Sequence, residues 1–298
     1  MNTQIETPQN TVSQKPFEIK EDNYTLHRRF DRMGRLVGDE KMKKLFDSHV
    51  MIIGLGGVGS WAAESIARSG IGKITVIDFD EICITNANRQ LHALQGLVGK
   101  KKSEVMAERL QKINPQAKVV SLPMFFNKET SAEILGHKPD YIVDCIDNLT
   151  AKTFLLNECR TQNIKVITSG GASAKMDPTR IQITDLAKTT IDPMSHTVRK
   201  ILRQEYNFPK EKFFNIPCVF SDEQPMEPIE LKYDLGQGFK CVCPQGENNL
   251  HGCLHRSVIY GTASFVTGAF GLAMASWVVR QITDVKVKMA YEHTVKNL

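Results

Sequence analysis

The feature that most constrains the fold is a glycine-rich loop between a strand-like run and a helical segment. Residues 50–53 are a short apolar run, residues 54–59 read GLGGVG, and residues 60–69 have helical spacing that ends at Gly70. Glycines let the backbone approach a phosphate, and the helix amino terminus supplies N–H donors directed at it. This order of strand, G-x-G-x-x-G and helix predicts a site for an adenosine phosphate.

Strand-like and helical segments alternate through the region that follows. Strands are predicted at 74–77, 119–122, 141–143, 166–168 and 181–184, and helices at 100–113 and 151–162. This alternation is typical of an α/β fold, with a Rossmann-like, doubly wound, mostly parallel sheet and helices on both faces. We therefore expect a nucleotide-binding core over about 50–184.

Composition divides the rest of the chain. Residues 1–23 are polar without an apolar stretch, so they predict a disordered tail and not a secretory signal. Residues 24–298 are expected to form a single domain that includes the core. Its other parts are a basic, helix-prone stretch over 24–47, a variable, loop-rich insertion over 186–256 with a helix at 197–205, and an apolar helical segment over 257–282.

The apolar segment allows two interpretations. Residues 257–279 carry no charge and are long enough to span a bilayer. They are also rich in Gly, Ala, Ser and Thr, which suits close helix packing inside a protein. We favour the buried helix. The odd count of 7 cysteines and the lack of a leader favour a reducing compartment, so we expect a cytoplasmic protein.

Acidic residues at strand ends extend the predicted nucleotide site. Asp78 ends the second strand, 19 residues after Gly59, where a carboxylate can accept hydrogen bonds from ribose hydroxyls. An NAD-dependent dehydrogenase would show the same pattern. Asp147 follows the strand at 141–144, at the carboxyl edge where ligands bind in such sheets.

The residues behind the second strand favour ATP over NAD. They are Asp80, Asn86, Asn88, Arg89 and Gln90, followed by Lys102 at the start of the next helix. A triphosphate attacked at its α-phosphorus needs cations on its oxygens and a carboxylate to hold magnesium. Any one of these residues alone would be explained as a solvated surface group, but their joint placement at strand ends indicates a triphosphate site.

At these residues the chain resembles a known family. The stretch GLGGVGSWAAESIARSGIGKITVIDFDEICITNANRQLHA resembles the adenylylating domain of the ubiquitin-activating-enzyme superfamily. The words VGSWAAE, NRQLHA, KSEVMAERLQKINP and DPTRIQITDLAKT resemble one branch of it, which dehydrates threonylcarbamoyladenosine at position 37 of tRNA. The resemblance covers about residues 28–205 and the later GTASFVTGAFG.

The resemblance implies a reaction and a set of roles. ATP would adenylylate the threonyl carboxylate, the neighbouring ureido group would attack the activated carbonyl, and AMP would leave as a ring forms. The nucleotide would be surrounded by Gly54, Gly56, Gly57 and Gly59, and the ribose would bind Asp78, with Asp80 beside it. The triphosphate would contact Asn86, Arg89 and Lys102. Asp147 would bind magnesium. Because members of the superfamily commonly act as dimers, either Arg32 or Arg35 would reach the γ-phosphate bound by the partner subunit of a homodimer.

A cluster of three cysteines and the single Cys218 have separate interpretations. Cys241, Cys243 and Cys253, with His251 and His255, offer ligands that suit zinc, although the C-x-C spacing is not that of a standard zinc site. Zinc or a monovalent cation, and reduced thiols in a loop, stay as alternatives. Cys218, in PCVFSDEQP, is the best candidate for a reactive thiol. Nothing beside it would lower its pKa, so we predict a buried structural cysteine.

The predicted partners follow from charge and from the resemblance. Six basic residues could contact tRNA phosphates, although a solvated face explains them equally: Lys188, Arg199, Lys200, Arg203, Lys210 and Lys212. The formal net charge of +5 permits a nucleic acid partner, and we expect tRNA and no DNA. A cysteine desulfurase or a sulfur acceptor is a further candidate partner.

Three other functions are alternatives to the dehydratase. The first is activation of the C-terminal glycine of a ubiquitin-like sulfur-carrier protein, against which the missing C-x-x-C pairs count. The second is NAD-dependent oxidation, which does not require the charged residues Arg89, Lys102 and Asp147. A non-catalytic scaffold is disfavoured by the intact set of phosphate-binding residues.

Overall fold

The computed structural model describes residues 26–229, residue 231 and residues 260–287. Its centre is a sheet of seven strands: β1 (His49–Ile53), β2 (Lys73–Ile77), β3 (Lys118–Leu122), β4 (Tyr141–Asp144), β5 (Lys165–Ser169), β6 (Ile181–Asp185) and β7 (Pro217–Ser221). Their order across the sheet is β3-β2-β1-β4-β5-β7-β6. Every neighbouring pair is parallel except β6 and β7, which confirms the mostly parallel sheet.

Helices cover both faces of this sheet. They are α1 (Asp31–Val37), α2 (Asp39–Asp47), α3 (Gly59–Arg68), α4 (Lys102–Ile113), α5 (Ser131–Leu135), α6 (Leu149–Thr161), α7 (Pro193–Glu205) and α8 (Ser264–Thr283). Because successive side chains of a strand point to opposite faces, β1 contributes to two cores. Val50 and Ile52 pack with α3, α4 and α8, while Met51 and Ile53 pack with α5, α6 and α7. The predicted doubly wound α/β fold is confirmed.

One strand lies within the predicted loop-rich insertion over 186–256 and was not predicted from the sequence. β7 lies inside that stretch and pairs with both β5 and β6. No strand was predicted here because β7 reads PCVFS, in which proline and serine flank only three apolar residues. The helix predicted at 197–205 begins earlier, at Pro193. Asp192 caps it by accepting a hydrogen bond from the Ser195 N–H at 2.8 Å, and proline suits the first helical position.

The apolar segment near the end of the chain forms a core helix. By length and composition α8 could cross a membrane, yet its residues Val266, Phe270 and Met274 are buried in the core. A Cβ on Gly271 would lie 2.4 Å from the carbonyl oxygen of Val58, so glycine lets α8 approach the start of α3 closely. Residues 260–263 are not helical, and residues 257–259 lie outside the described part of the chain.

Candidate nucleotide-binding and active site

The glycine loop joins β1 to α3 at the carboxyl edge of the sheet. Gly54 has φ of +89°, and a Cβ there would lie 2.7 Å from the carbonyl oxygen of Cys145. A Cβ on Gly59 would lie 1.8 Å from the carbonyl oxygen of Gly54, so both positions require glycine. A Cβ on Gly56 would meet nothing within 4 Å. The loop is therefore tightly packed at Gly54 and Gly59, whereas the backbone at Gly56 borders open space from which a phosphate could approach.

The loop is also fixed to the end of β2 and to α8. The Asp78 carboxylate accepts hydrogen bonds from the Leu55 N–H at 2.7 Å and from the Asp80 N–H at 2.9 Å. Burial raises the pKa of Asp78, and the charge of Lys102 opposes this effect. On the other side, a Cβ on Gly57 would lie 3.2 Å from Thr267 of α8. Because a carboxylate offers about four acceptor sites, Asp78 retains capacity for ribose hydroxyls.

A buried lysine lies among the carboxylates of this edge. Lys102 is 5% exposed at the first position of α4, and its Nζ lies 2.7 Å from Oδ2 of Asp80. Burial lowers the pKa of Lys102, but the charges of Asp78, Asp80 and Asp147 outweigh burial and raise it overall. The side chain is therefore an ammonium ion. The structure thus brings together four of the predicted residues, Asp78, Asp80, Lys102 and Asp147, from three separate parts of the sequence.

The loop after β2 holds Arg89 and Asn86 by local hydrogen bonds. The Arg89 guanidinium donates to the Thr85 carbonyl and to Oδ1 of Asn88, both at 2.9 Å. The Arg89 carbonyl accepts from Nε1 of Trp61 in α3 at 3.2 Å. Asn86 Oδ1 accepts from the Cys83 N–H at 3.0 Å, so this side chain shapes the turn. Asn88 also donates to the Thr262 carbonyl at 2.8 Å, which links the loop to the segment before α8.

A buried ion pair that sequence reasoning missed supports the turn carrying Asp147. Lys152 of α6 is 1% exposed, and its Nζ lies 2.6 Å from Oδ2 of Asp144 and 2.9 Å from Oγ1 of Thr168. The other oxygen of Asp144 accepts from the Ile146 N–H at 3.1 Å. Asp147 itself is exposed in this turn. The sequence signal that could have predicted this ion pair is a lysine, Lys152, on the face of α6 that packs against the sheet.

The two amino-terminal arginines lie on α1. Both Arg32 and Arg35 are exposed, and Arg35 pairs with Asp31 at 2.9 Å. Just before this helix, Phe30 packs near Gly70, which follows α3. Since α3 begins at the glycine loop, its far end lies away from that loop. Contact of either arginine with ATP across a dimer stays a prediction.

The described cysteines fit structural roles. Cys218 is fully buried in β7, and burial raises its pKa to about 12, although the Ser195 hydroxyl acts in the opposite direction. Burial also raises the pKa of Cys145 and of Cys159. The candidate metal residues Cys241, Cys243 and Cys253, with His251 and His255, lie outside the described residues. Within residues 26–229 and 260–287, no cluster of three or more His, Cys, Asp or Glu could hold a metal ion.

Comparisons with known proteins assign the class. Residues 30–297 match the model of the ThiF family. The chain belongs to the ThiF family. Within it, a tRNA threonylcarbamoyladenosine dehydratase of Haemophilus influenzae is 41% identical over 268 residues, which cover 89% of this chain and 96% of the relative. A tRNA threonylcarbamoyladenosine dehydratase of Bacillus subtilis is 38% identical and covers 88% of this chain and 98% of the relative.

A solved structure agrees with these relatives. The crystal structure of the Escherichia coli tRNA N6-threonylcarbamoyladenosine dehydratase in complex with ATP is 36% identical, with a TM-score of 0.73, and covers 86% of this chain and 94% of that chain. By contrast, the molybdopterin-synthase adenylyltransferase of Haemophilus influenzae is 29% identical and covers 67% of this chain. The resemblance to the dehydratase branch is confirmed, and the sulfur-carrier alternative is not favoured.

Proposed function

We propose that this chain is an ATP-dependent dehydratase of threonylcarbamoyladenosine in tRNA that acts through an adenylylated carboxylate. The observation that carries the proposal is the open backbone of Gly56 at the sheet edge where Lys102 meets Asp78, Asp80 and Asp147. The similarity to the named dehydratases, including one solved with ATP, supports the same substrate and cofactor.

The site residues define the orientation that we propose for ATP. The ribose hydroxyls would bind Asp78, and the phosphates would lie over Gly56 at the amino terminus of α3, where N–H groups and the helix dipole favour negative charge. Lys102 and Arg89 would then contact the phosphate oxygens. Asp147, exposed and within electrostatic reach of Lys102, is the carboxylate that would hold magnesium.

The reaction needs charge neutralisation and positioning more than proton transfer. The threonyl carboxylate attacks the α-phosphorus, and pyrophosphate leaves. The ureido nitrogen then attacks the acyl carbon, and AMP leaves with the former carboxylate oxygen, so the net change is loss of one water from the nucleoside. Lys102 and Arg89 would stabilise the negative charge on the phosphates during the first step. A bound magnesium ion would supply further neutralisation of the triphosphate.

The assembly and location belong to the same proposal. A homodimer would allow Arg32 or Arg35 to reach the nucleotide of the partner subunit. The exposed position of both side chains on α1 is compatible with this role. A cytoplasmic location fits a tRNA substrate and the four free cysteines Cys83, Cys145, Cys159 and Cys218. Zinc or a monovalent cation at residues 241–253, and sulfur-transfer partners, are further candidates that a metal assay and a pull-down would test.

The test is direct. Purified protein is incubated with ATP, magnesium and tRNA that carries threonylcarbamoyladenosine, and the digested nucleosides are weighed by mass spectrometry. We expect the modified nucleoside to lose the mass of one water only when ATP is present. Lys102→Ala should abolish this loss, whereas the matched control Lys100→Ala, an exposed lysine two residues earlier, should retain it. No loss of water, with an adenylate formed on a sulfur-carrier protein instead, would refute the proposal.

A further inference from the structure

A basic groove runs along one face of α7. It has a volume of about 350 Å³ and is lined by His196, Arg199, Lys200, Arg203 and Gln204. These residues follow helical spacing, so they share one face of the helix. At about 100° per residue, Glu205, the acidic residue of α7, points about 180° away from His196. Asp192, the cap of α7, is close enough for its charge to act on Arg199, but no carboxylate within the helix itself lies on this face.

Two of the three cations that line the groove, Arg199 and Arg203, are held in place by contacts within the protein. The Arg199 guanidinium donates a hydrogen bond to Oγ1 of Thr189, and the Arg203 guanidinium lies 5.3 Å from the centroid of the Phe214 ring. Burial, and then the neighbouring charge of Arg203, lower the pKa of Arg199. The crowding of two guanidiniums is the arrangement expected where an anion completes the site.

An exposed aromatic ring lies beside this face. Lys188 Nζ is 5.1 Å from the centroid of Phe213, whose side chain is 58% exposed. Lys188 directly precedes Thr189, the partner of Arg199, which places the ring next to the groove. Exposed aromatic rings beside cations suit single-stranded nucleic acid, because bases stack on the ring while cations contact phosphates.

The groove begins next to the candidate active site. Asp192, the cap of α7, accepts a hydrogen bond from the Gly171 N–H at 3.1 Å. Gly171 follows β5, the neighbour of β4, and Asp147 follows β4 at the same edge of the sheet. Lys200 lies about 12 Å further along the helix, at about 1.5 Å per residue. The groove therefore lies within reach of a polymer whose modified nucleotide enters the site.

We propose that the α7 groove, lined by His196, Arg199, Lys200, Arg203 and Gln204, binds backbone phosphates of the tRNA next to its modified nucleotide. This inference rests on the proposed function. Guanidinium groups match phosphate geometry, and a row of cations along a helix matches a chain of regularly spaced phosphates. An acidic peptide, the alternative ligand, has no bases to stack on the exposed Phe213 ring.

The experiment adds negative charge to the groove without disturbing the fold. Lys200→Glu and Gln204→Glu both change exposed side chains, and the second is nearly isosteric. The control is Lys112→Glu, which makes the same charge change as Lys200→Glu at an exposed position near the end of α4, at the opposite edge of the sheet. The Kd for tRNA is measured by fluorescence anisotropy at several salt concentrations, and the KM values for tRNA and for ATP are measured in the dehydration assay.

We expect each groove variant to raise the Kd and the KM for tRNA about tenfold and to reduce the salt slope by about one unit. The control should change neither quantity by more than about twofold, and KM for ATP should be unchanged in all three variants. If wild-type protein dehydrates tRNA but the groove variants match the control, the groove assignment is wrong and the proposed function stands. If wild-type protein neither binds nor dehydrates tRNA, both are overturned.

Discussion

The packing of the glycine loop predicts opposite effects for two similar substitutions. In Gly59→Ala the new Cβ would lie 1.8 Å from the Gly54 carbonyl oxygen, where ordinary contacts begin at 3.4 Å. The carbonyl and the helix start must therefore separate by about 1.5 Å. A shift of this size costs about 1–3 kcal/mol of stability, as overpacked cores do.

The same shift should weaken ATP binding, because it moves the N–H groups that would contact the phosphates. If about two hydrogen bonds to a charged group are lost, at about 1.5 kcal/mol each, the Kd for ATP rises roughly a hundredfold. Gly56→Ala is the matched comparison. Its Cβ would meet nothing within 4 Å, so its Tm should equal that of wild type, yet its methyl group would occupy the side from which a phosphate approaches.

Calorimetry with ATP and magnesium gives the Kd, and thermal unfolding gives the Tm. We expect Gly59→Ala to lower both ATP affinity and Tm, and Gly56→Ala to lower ATP affinity alone. The reasoning is refuted if Gly59→Ala binds ATP within about twofold of wild type at an unchanged Tm. A Gly56→Ala variant that binds ATP normally would show that the open side of the loop does not face the phosphates.

Three further predictions concern buried groups. Lys152→Met should lower the free energy of unfolding in urea by about 3–5 kcal/mol, because it leaves the Asp144 charge buried and unpaired. Adding Asp144→Asn should recover part of that loss. A decrease below about 1 kcal/mol for Lys152→Met would contradict this prediction. Burial lowers the pKa of His92 to about 3 from 6.5, so the unfolded chain binds more protons between these pH values, and stability falls as pH drops through that window. His92→Gln should reduce the slope of stability against pH there by about 1.4 kcal/mol per unit, and an unchanged slope would disprove the assignment. Cys218 is buried with its pKa raised to about 12, so it should resist iodoacetamide in the native protein and react once the protein is unfolded. Peptide mapping of the labelled protein measures this. Rapid labelling of Cys218 in the native protein would contradict the prediction.

The sequence predicted those parts of the fold that local patterns determine. The strand before Gly54, the helix after it and the acidic end of β2 depend on neighbours in the sequence, so spacing and residue type were sufficient. β7 could not be predicted in this way. It pairs with β5 and β6, which end about 30 residues or more earlier in the chain, and its sequence PCVFS has only three consecutive apolar residues.

The candidate site shows the same division. Asp78, Lys102 and Asp147 could be placed at strand or helix ends, and the parallel sheet then brings those ends to one edge. The support beneath them could not be predicted, because the pairing of Lys152 with Asp144 depends on how α6 packs on the sheet. Asn86 was predicted to contact the triphosphate, and the structure shows in addition that its side-chain oxygen shapes the turn before Arg89.

The contact between α8 and the glycine loop bears on how the protein is made. Thr267 lies against Gly57, and the Thr262 carbonyl accepts a hydrogen bond from Asn88, so residues beyond 260 contact both the glycine loop and the loop after β2, which are translated much earlier. A nascent chain still on the ribosome lacks that brace while its first strands and helices are already outside the exit tunnel. We therefore expect competence to bind nucleotide to be acquired late in synthesis, once α8 has docked.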